Sequence, residues 1–141
     1  DLAGYIPDFV MNWHKPVILE VKPALELKDF DEAREKIERS GWNGEAIVVG
    51  ARLFDGWDID SAIGIIRERV PIDTEIAWEW DTCEIFMCRA CESPGVCSTS
   101  GSWRCRTCGA YDGDRHIDPI ACRANDLWAF AGNELQWRPK R

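Results

Sequence analysis

Long apolar runs are missing: no stretch approaches the roughly 20 consecutive apolar residues that a membrane-spanning helix needs, and Asp1-Leu2-Ala3-Gly4-Tyr5 lacks the basic start and apolar stretch of a secretory leader. The expectation is a soluble, cytoplasmic protein with no membrane partner. Basic charge is also short, since 17 Lys and Arg stand against 25 Asp and Glu and leave a net charge of -8. That balance opposes non-specific attachment to phosphate backbones, so any nucleic-acid contact has to be local. Cysteine is absent from residues 1–82, and all seven, from Cys83 to Cys122, fall in the second half. An odd number clustered in this way fits a closed disulfide framework poorly and favours metal ligation. Internal repeats and low-complexity tracts are lacking as well, and 45% hydrophobic against 30% charged residues is the composition of an ordinary globular chain, not of a disordered tail. At 141 residues, one core or one core with a small appended module is expected. The sequence opens on Asp instead of Met, which suggests a fragment or processed product of something longer.

The elements follow from period and punctuation. Tyr5 to Asn12 is short and β-favouring, Trp13-His14-Lys15-Pro16 reads as a turn, and Val17 to Lys22 reads as a second strand closed by Pro23, which together predict a β-hairpin. Residues 29–40 have an acidic first turn, apolar Phe30, Ala33 and Ile37 at helical spacing, and Gly41 just past the end. The near-continuous apolar run Glu45 to Gly50 predicts a strand buried on both faces. Ser61 to Val70 fits either a strand or a short helix, whereas the alternation from Glu75 through Trp80 predicts a half-exposed strand that Glu84 to Met87 extend towards the cysteines. Asn125-Asp126 is expected to cap a final helix carrying Leu127, Phe130 and Leu135.

If the hairpin turns near His14, paired positions sum to about 28, so Asp8 lies across from Glu20 and Lys22 follows on the same face. Their neighbours Ile6, Phe9, Val10, Val17, Ile18, Leu19 and Val21 are apolar. Two carboxylates and an ammonium in such surroundings need a reason, and a hard divalent cation accepting the carboxylate oxygens supplies one. An ordinary cross-strand ion arrangement on a surface hairpin is the alternative.

Pro7-Asp8 followed by Glu20-Val21-Lys22 resembles the signature of the PD-(D/E)xK nuclease superfamily, over residues 5–54. The resemblance implies a small restriction-endonuclease-like mixed sheet with helix, of α/β or α+β class, that hydrolyses DNA phosphodiesters. It further implies that Asp8 and Glu20 ligate Mg²⁺ or Mn²⁺, and that Lys22 orients or activates the attacking water and steadies developing negative charge. Members of the superfamily usually carry a helix before the first strand, often with a further acidic residue, and only four residues precede Tyr5 here. The final helix, Asp126 to Trp137, with Glu134, is a conceivable substitute. A similarity to uncharacterised actinobacterial-phage-type proteins that join a Tyr-x-Pro-Asp-Phe hairpin to a cysteine ribbon, extending to Ala131-Gly132-Asn133, implies a place in phage or bacterial DNA processing.

Cys88-Arg-Ala-Cys91 and Cys105-Arg-Thr-Cys108 are two Cys-x2-Cys pairs separated by 13 residues, a spacing that lets two tight turns present four thiolates to one Zn²⁺. The pattern resembles a zinc ribbon, which implies a closed, structural site. Cys97 is able to displace one ligand, and Cys83, Cys97, Cys122 and His116 form a weaker second candidate set; buried or free thiols are the plainer expectation for these cysteines. Arg89, Arg104 and Arg106 alternate with the ligands. They are expected either to contact nucleic acid, beside Trp103 and Tyr111 as stacking surfaces, or to offset the charge of a Zn(Cys)₄ centre. Of the eight tryptophans most are expected to be packing, Trp42 as a plug at the helix end, and Trp78 and Trp80 on one strand face joining two modules.

The expected organisation is a nuclease-like core over residues 1–72, without the usual first helix, and a zinc-ribbon module with a C-terminal helix over residues 73–141. The expected activity is Mg²⁺-dependent DNA cleavage. A catalytically silent zinc-ribbon adaptor binding a protein partner is the rival.

Overall fold

The protein is seen in a computed structural model that describes residues 4–13, 15–54, 62–72, 74–98, 103–113 and 115–119. The strands are β1 (Phe9–Asn12), β2 (Pro16–Val21), β3 (Ala46–Phe54), β4 (Ala62–Ile72), β5 (Glu75–Cys88), β6 (Pro94–Ser98) and β7 (Ile117–Pro119), with one α-helix, α1 (Asp31–Arg39), among the described residues. They form one sheet in the order β1-β2-β3-β4-β5-β6, with β7 also paired to β5. All neighbours are antiparallel except β2 and β3, so this is a mixed sheet with a single crossover helix. An α+β description fits it, although helix is scarcer than the sequence led us to expect. His14, residues 55–61, Cys122 and the helix expected over Asp126–Trp137 lie outside the described residues.

The hairpin has the register its sequence predicts: Phe9 faces Leu19 and Asn12 faces Pro16, each pair summing to 28. Because parallel strands cannot be joined by a tight turn, β2 reaches β3 through α1. The helix begins later than residue 29. Leu27–Phe30 form a 3-10 turn first, capped by Asp29, whose Oδ2 accepts the Leu25 and Glu26 amides at 2.9 and 3.2 Å. Ala33 and Ile37, one turn apart, bury the inward face. The helix closes at Ser40, whose hydroxyl donates to the Ile37 carbonyl at 2.6 Å and accepts the Trp42 amide at 3.1 Å, with Gly41 at φ +76° reversing the chain.

β3 is buried from Ala46 to Gly50 as expected, because β2 and β4 flank it and both sheet faces are covered. Residues 62–70, whose sequence fits either a strand or a short helix, form strand: their isoleucines Ile63, Ile65 and Ile66 are β-branched and fully buried, and they fill both faces of a central strand. Gly64 permits the close approach to β3, since a Cβ there would meet the Val48 carbonyl oxygen at 1.9 Å. β4 and β5 pair continuously from Gly64↔Cys83 to Ile72↔Glu75, so the sheet runs unbroken past residue 72.

One face packs Ile18, Ala46, Val48 and Ile65 beneath Phe30, Ala33 and Ile37, with Trp42 and Trp80 at its margin. The opposite face packs Val17, Ile47, Val49, Ile66 and Cys83. A small third cluster, Phe86, Cys88, Cys97 and Cys105, lies where β5 runs into the cysteine turns.

Candidate active site and candidate metal centre

Alternation along β2 puts Ile18 and Glu20 on the helix-covered face and Val17 and Leu19 on the other. Glu20, registered beside Val48, is only 3% exposed. A carboxylate withdrawn from water needs donors, and two are supplied: the Tyr5 hydroxyl donates to Oε1, and Lys22 Nζ stands 2.7 Å from Oε2. Burial, then the Glu20 carboxylate, hold the Tyr5 phenol well above its ordinary pKa. Lys22 is raised as well, first by its bond to Glu20, against some desolvation, with Asp8 adding charge attraction. Asp8 is exposed, and its Oδ2 accepts the Val21 amide at 2.9 Å, which ties the chain ahead of β1 to the end of β2.

Asp8, Glu20 and Lys22 line one cavity of about 430 Å³, together with Tyr5. Ala33, Lys36, Arg39 and Ser40 of α1 and its cap make the facing wall. Lys36 and Arg39 are held by Glu32 and Glu35 at 2.6 and 3.9 Å. The three residues singled out from the motif therefore meet in space, across a hairpin and beside a helix. Tyr5, which sequence reasoning left out, is the fourth member; its place three residues before Asp8 in the same apolar segment was the available signal. For a hard cation the donor set fits: two carboxylates provide oxygen ligands, and each Glu20 oxygen retains a lone pair beyond the hydrogen bond it accepts.

The second centre is built by two turns of matching geometry. In the first, the Glu92 amide donates to the Cys88 carbonyl at 2.7 Å and the Cys88 amide to Ser93 at 2.9 Å. In the second, the Gly109 amide donates to the Cys105 carbonyl at 2.8 Å and the Cys105 amide to Ala110 at 3.0 Å. The Sγ atoms of Cys88, Cys91, Cys105 and Cys108 all lie within 4.8 Å of one another. Cys88 and Cys108 are 3.8 Å apart and Cys91 and Cys105 3.6 Å apart. A tetrahedron with metal–sulfur bonds of about 2.3 Å has edges of roughly 3.8 Å, so the four thiols are arranged to hold a metal such as Zn²⁺. Hydrogen bonds led by the Ser93 side chain bring the Cys91 thiol down to about 6, whereas Cys108, although the Ala110 amide lowers it, is pushed up to about 12 by desolvation and the three neighbouring thiols, so the cluster shares its protons unevenly.

Cys83 and Cys97 are fully buried, and both thiols are pushed up in pKa, foremost by burial. His116 is buried with Nδ1 2.5 Å from Asp112 Oδ1 and Nε2 2.6 Å from the Trp103 carbonyl. Both ring nitrogens are thus engaged, and among the described residues His116, Cys83 and Cys97 form no ligand group.

The ribbon arginines divide. Arg89 is exposed and 3.8 Å from Asp118, and Arg104 is exposed with its guanidinium 5.6 Å from the Tyr111 ring centre. Arg106 turns inward instead of towards a partner: Nε meets Glu45 at 2.7 Å, Nη2 meets Glu68 at 2.8 Å and Nη1 the Val96 carbonyl at 2.7 Å. Burial opposes its charge, but Glu45 and Glu68 more than offset this and raise its pKa. Its side chain is 10% exposed and its donors already have acceptors inside the fold, so of the three arginines expected at a nucleic-acid contact it is the one turned away from the surface. The acidic partners Glu45 and Glu68 were not singled out from sequence. A glutamate within the apolar stretch of β4 was the only clue.

The chain matches no family model, no curated protein and no solved structure.

Proposed function

We propose that the protein is a metal-dependent deoxyribonuclease with a restriction-endonuclease-like core, acting in phage or bacterial DNA processing, and that the cavity between the β1–β2 hairpin and α1 is its active site. The observation that carries this reading is the buried Glu20 carboxylate meeting Lys22 in a cavity that Asp8 also lines. A bound Mg²⁺ or Mn²⁺ would supply Lewis acidity and lower the pKa of a coordinated water. Asp8 and Glu20 offer the oxygen ligands. Lys22, whose ammonium is favoured by Glu20 and Asp8, stands where it can hold a nucleophile's oxygen or steady charge on a phosphate. Tyr5 fixes the second carboxylate oxygen.

The test is incubation of the full-length protein with supercoiled, linear and branched DNA with Mg²⁺ or Mn²⁺, beside a Glu20→Ala control. Cleavage by the parent and none by the variant supports the reading; equal cleavage assigns the activity to a contaminant.

The second reading is a silent adaptor that binds protein through the ribbon, favoured by the ribbon's apolar surface: Tyr111 is 65% and Trp103 36% exposed. It requires a stable protein complex that Tyr111→Ser weakens and Glu20→Ala leaves intact.

A further inference from the structure

Arg106 belongs to the second cysteine turn, between Cys105 and Cys108, but its side chain leaves that turn for the sheet. Its three bonds end on three different parts of the sheet. Nε meets Glu45, the residue before β3, at 2.7 Å, Nη2 meets Glu68 of β4 at 2.8 Å, and Nη1 donates to the Val96 carbonyl of β6 at 2.7 Å. Glu68 follows Ile66 by two residues and so shares its face of the sheet, the one opposite α1.

Three features separate this bridge from the ion pairs along α1. First, it is withdrawn from water, with the Arg106 and Glu68 side chains 10% and 8% exposed. Second, Glu68 pairs with no other cation among the described residues, and the residue directly across from it on β5 is a further carboxylate, Glu79. Third, the backbone that carries Arg106 is the turn that presents two of the four thiols: the Gly109 amide closes it on the Cys105 carbonyl at 2.8 Å. The position of the guanidinium and the position of the Cys105 and Cys108 sulfurs are therefore set by one short loop.

We infer that Arg106 couples metal binding at the four thiols to the integrity of the sheet, so that the cysteine turns and β4 act as one cooperative unit and not as two modules. With the turn held by its metal, a guanidinium is delivered to Glu68. With the turn released, Glu68 remains in the sheet beside Glu79 as a carboxylate short of both water and a cation, which is worse than either a made pair or no charge at all. Such coupling is reciprocal: the stability that metal binding lends to β4 is matched by the metal affinity that the bridge lends to the thiols, although neither Arg106 nor Glu68 is a ligand. Arg89 and Arg104 provide the contrast. They adjoin Cys88 and Cys105 in sequence but are exposed, so they can offset thiolate charge and cannot form the bridge. The inference rests on the thiol centre and is independent of the nuclease reading.

The experiment measures Zn²⁺ affinity of the full chain under reducing conditions, by competition with a chromogenic chelator, in the parent and in folded variants checked by circular dichroism. Arg106→Met should weaken zinc binding by at least about tenfold, because it leaves Glu68 charged and unpaired. Arg106→Met with Glu45→Gln and Glu68→Gln should recover most of that loss, since no charge is then buried. Arg89→Met and Arg104→Met should stay within about twofold of the parent, as expected for exposed charges. In the parent, chelation should speed hydrogen exchange of the β4 amides around Glu68, and in the triple variant it should do so less. Unchanged zinc affinity in Arg106→Met overturns the inference, as does an equal loss in the triple variant, which would make Arg106 a packing residue only. A comparable loss in Arg104→Met also overturns it, by assigning the effect to charge at the thiolates. If Arg106→Met does not fold, exchange in the parent decides, and β4 amides indifferent to chelation overturn the inference. A parent that takes up no zinc removes the metal centre itself, and the coupling with it.

Discussion

Glu92 and Gly109 occupy the same place in two matching turns: each follows the second cysteine of its pair, each donates its amide to the carbonyl of the first cysteine, and both have positive φ, 59° and 78°. Only one of them is glycine. A side chain in this left-handed region costs about 1–2 kcal/mol, part of which glycine recovers at the expense of a freer unfolded chain. Glu92→Gly should therefore stabilise the zinc-bound protein by up to ~1 kcal/mol, and Gly109→Ala should destabilise it by about 1 kcal/mol through the backbone alone, since no atom lies within 4 Å of the added Cβ. Chemical denaturation at fixed zinc concentration checks both signs.

The four thiols should bind one Zn²⁺ per chain. Their packing cluster is small, Phe86 and three cysteines, so the metal has to hold the turns that carry them. Chelation should loosen residues from Cys83 onward in hydrogen exchange and leave the hairpin, α1 and β3 less affected. Metal analysis that finds no zinc in protein purified under reducing conditions refutes this.

Much of this was legible because it is local. Hairpin register follows from one turn and a two-residue period, so the pairing of Phe9 with Leu19 could be read from the sequence. The Cys-x2-Cys spacing likewise encodes its own turn. What sequence could not reveal is long-range. Whether 62–70 is strand or helix depends on β3 and β5 flanking it, and the direction Arg106 faces depends on Glu45 and Glu68, which lie 61 and 38 residues away. Tyr5 joins Glu20 across 15 residues for the same reason.

Arg106 should prove structural. Its removal leaves Glu68, 6% exposed, facing Glu45 with no cation between them, and breaking a buried pair of this kind costs about 3–5 kcal/mol. Arg106→Lys should rescue only partly, because an ammonium cannot reach Glu45, Glu68 and the Val96 carbonyl as a planar fork does. Arg106→Met with Glu45→Gln and Glu68→Gln should be milder than Arg106→Met alone. Equal losses in the single and triple variants would show that the charges are not coupled.

Alkali should act at the Glu20 site. Tyr5 and Lys22 both have folded pKa values above their ordinary values near 10, so the stability they contribute is fully present below about pH 10 and is lost as pH rises through the raised values. Tyr5 should then ionise only as the chain unfolds. Phenolate absorbance followed beside circular dichroism should show a late component that coincides with unfolding, and Tyr5→Phe should delete that component. A Tyr5 phenolate appearing in folded protein contradicts the buried hydrogen bond to Glu20.

The roles assigned to Asp8, Glu20 and Lys22 predict different kinetic defects, which is a stronger test than loss of activity. Asp8→Ala and Glu20→Ala remove metal ligands, so both should raise the Mg²⁺ concentration needed for cleavage as well as lower the rate. Lys22→Ala keeps both carboxylates, and its defect should persist at saturating metal as a fall in kcat, because charge stabilisation and not metal capture has been removed. Ca²⁺, larger and less demanding of geometry, should permit DNA binding and not cleavage. Lys22→Ala also frees one oxygen of a 3% exposed carboxylate from its 2.7 Å partner, so a melting curve must accompany the kinetics. The expected pattern is a folded Lys22→Ala protein with near-parental metal dependence and a rate reduced by at least about 100-fold, the lower end of what a positioned acid, base or charge-stabilising group contributes. If Lys22→Ala is instead rescued by excess Mg²⁺, the ammonium serves only to hold Glu20 in place, and its assignment passes from the reacting atoms to the metal site.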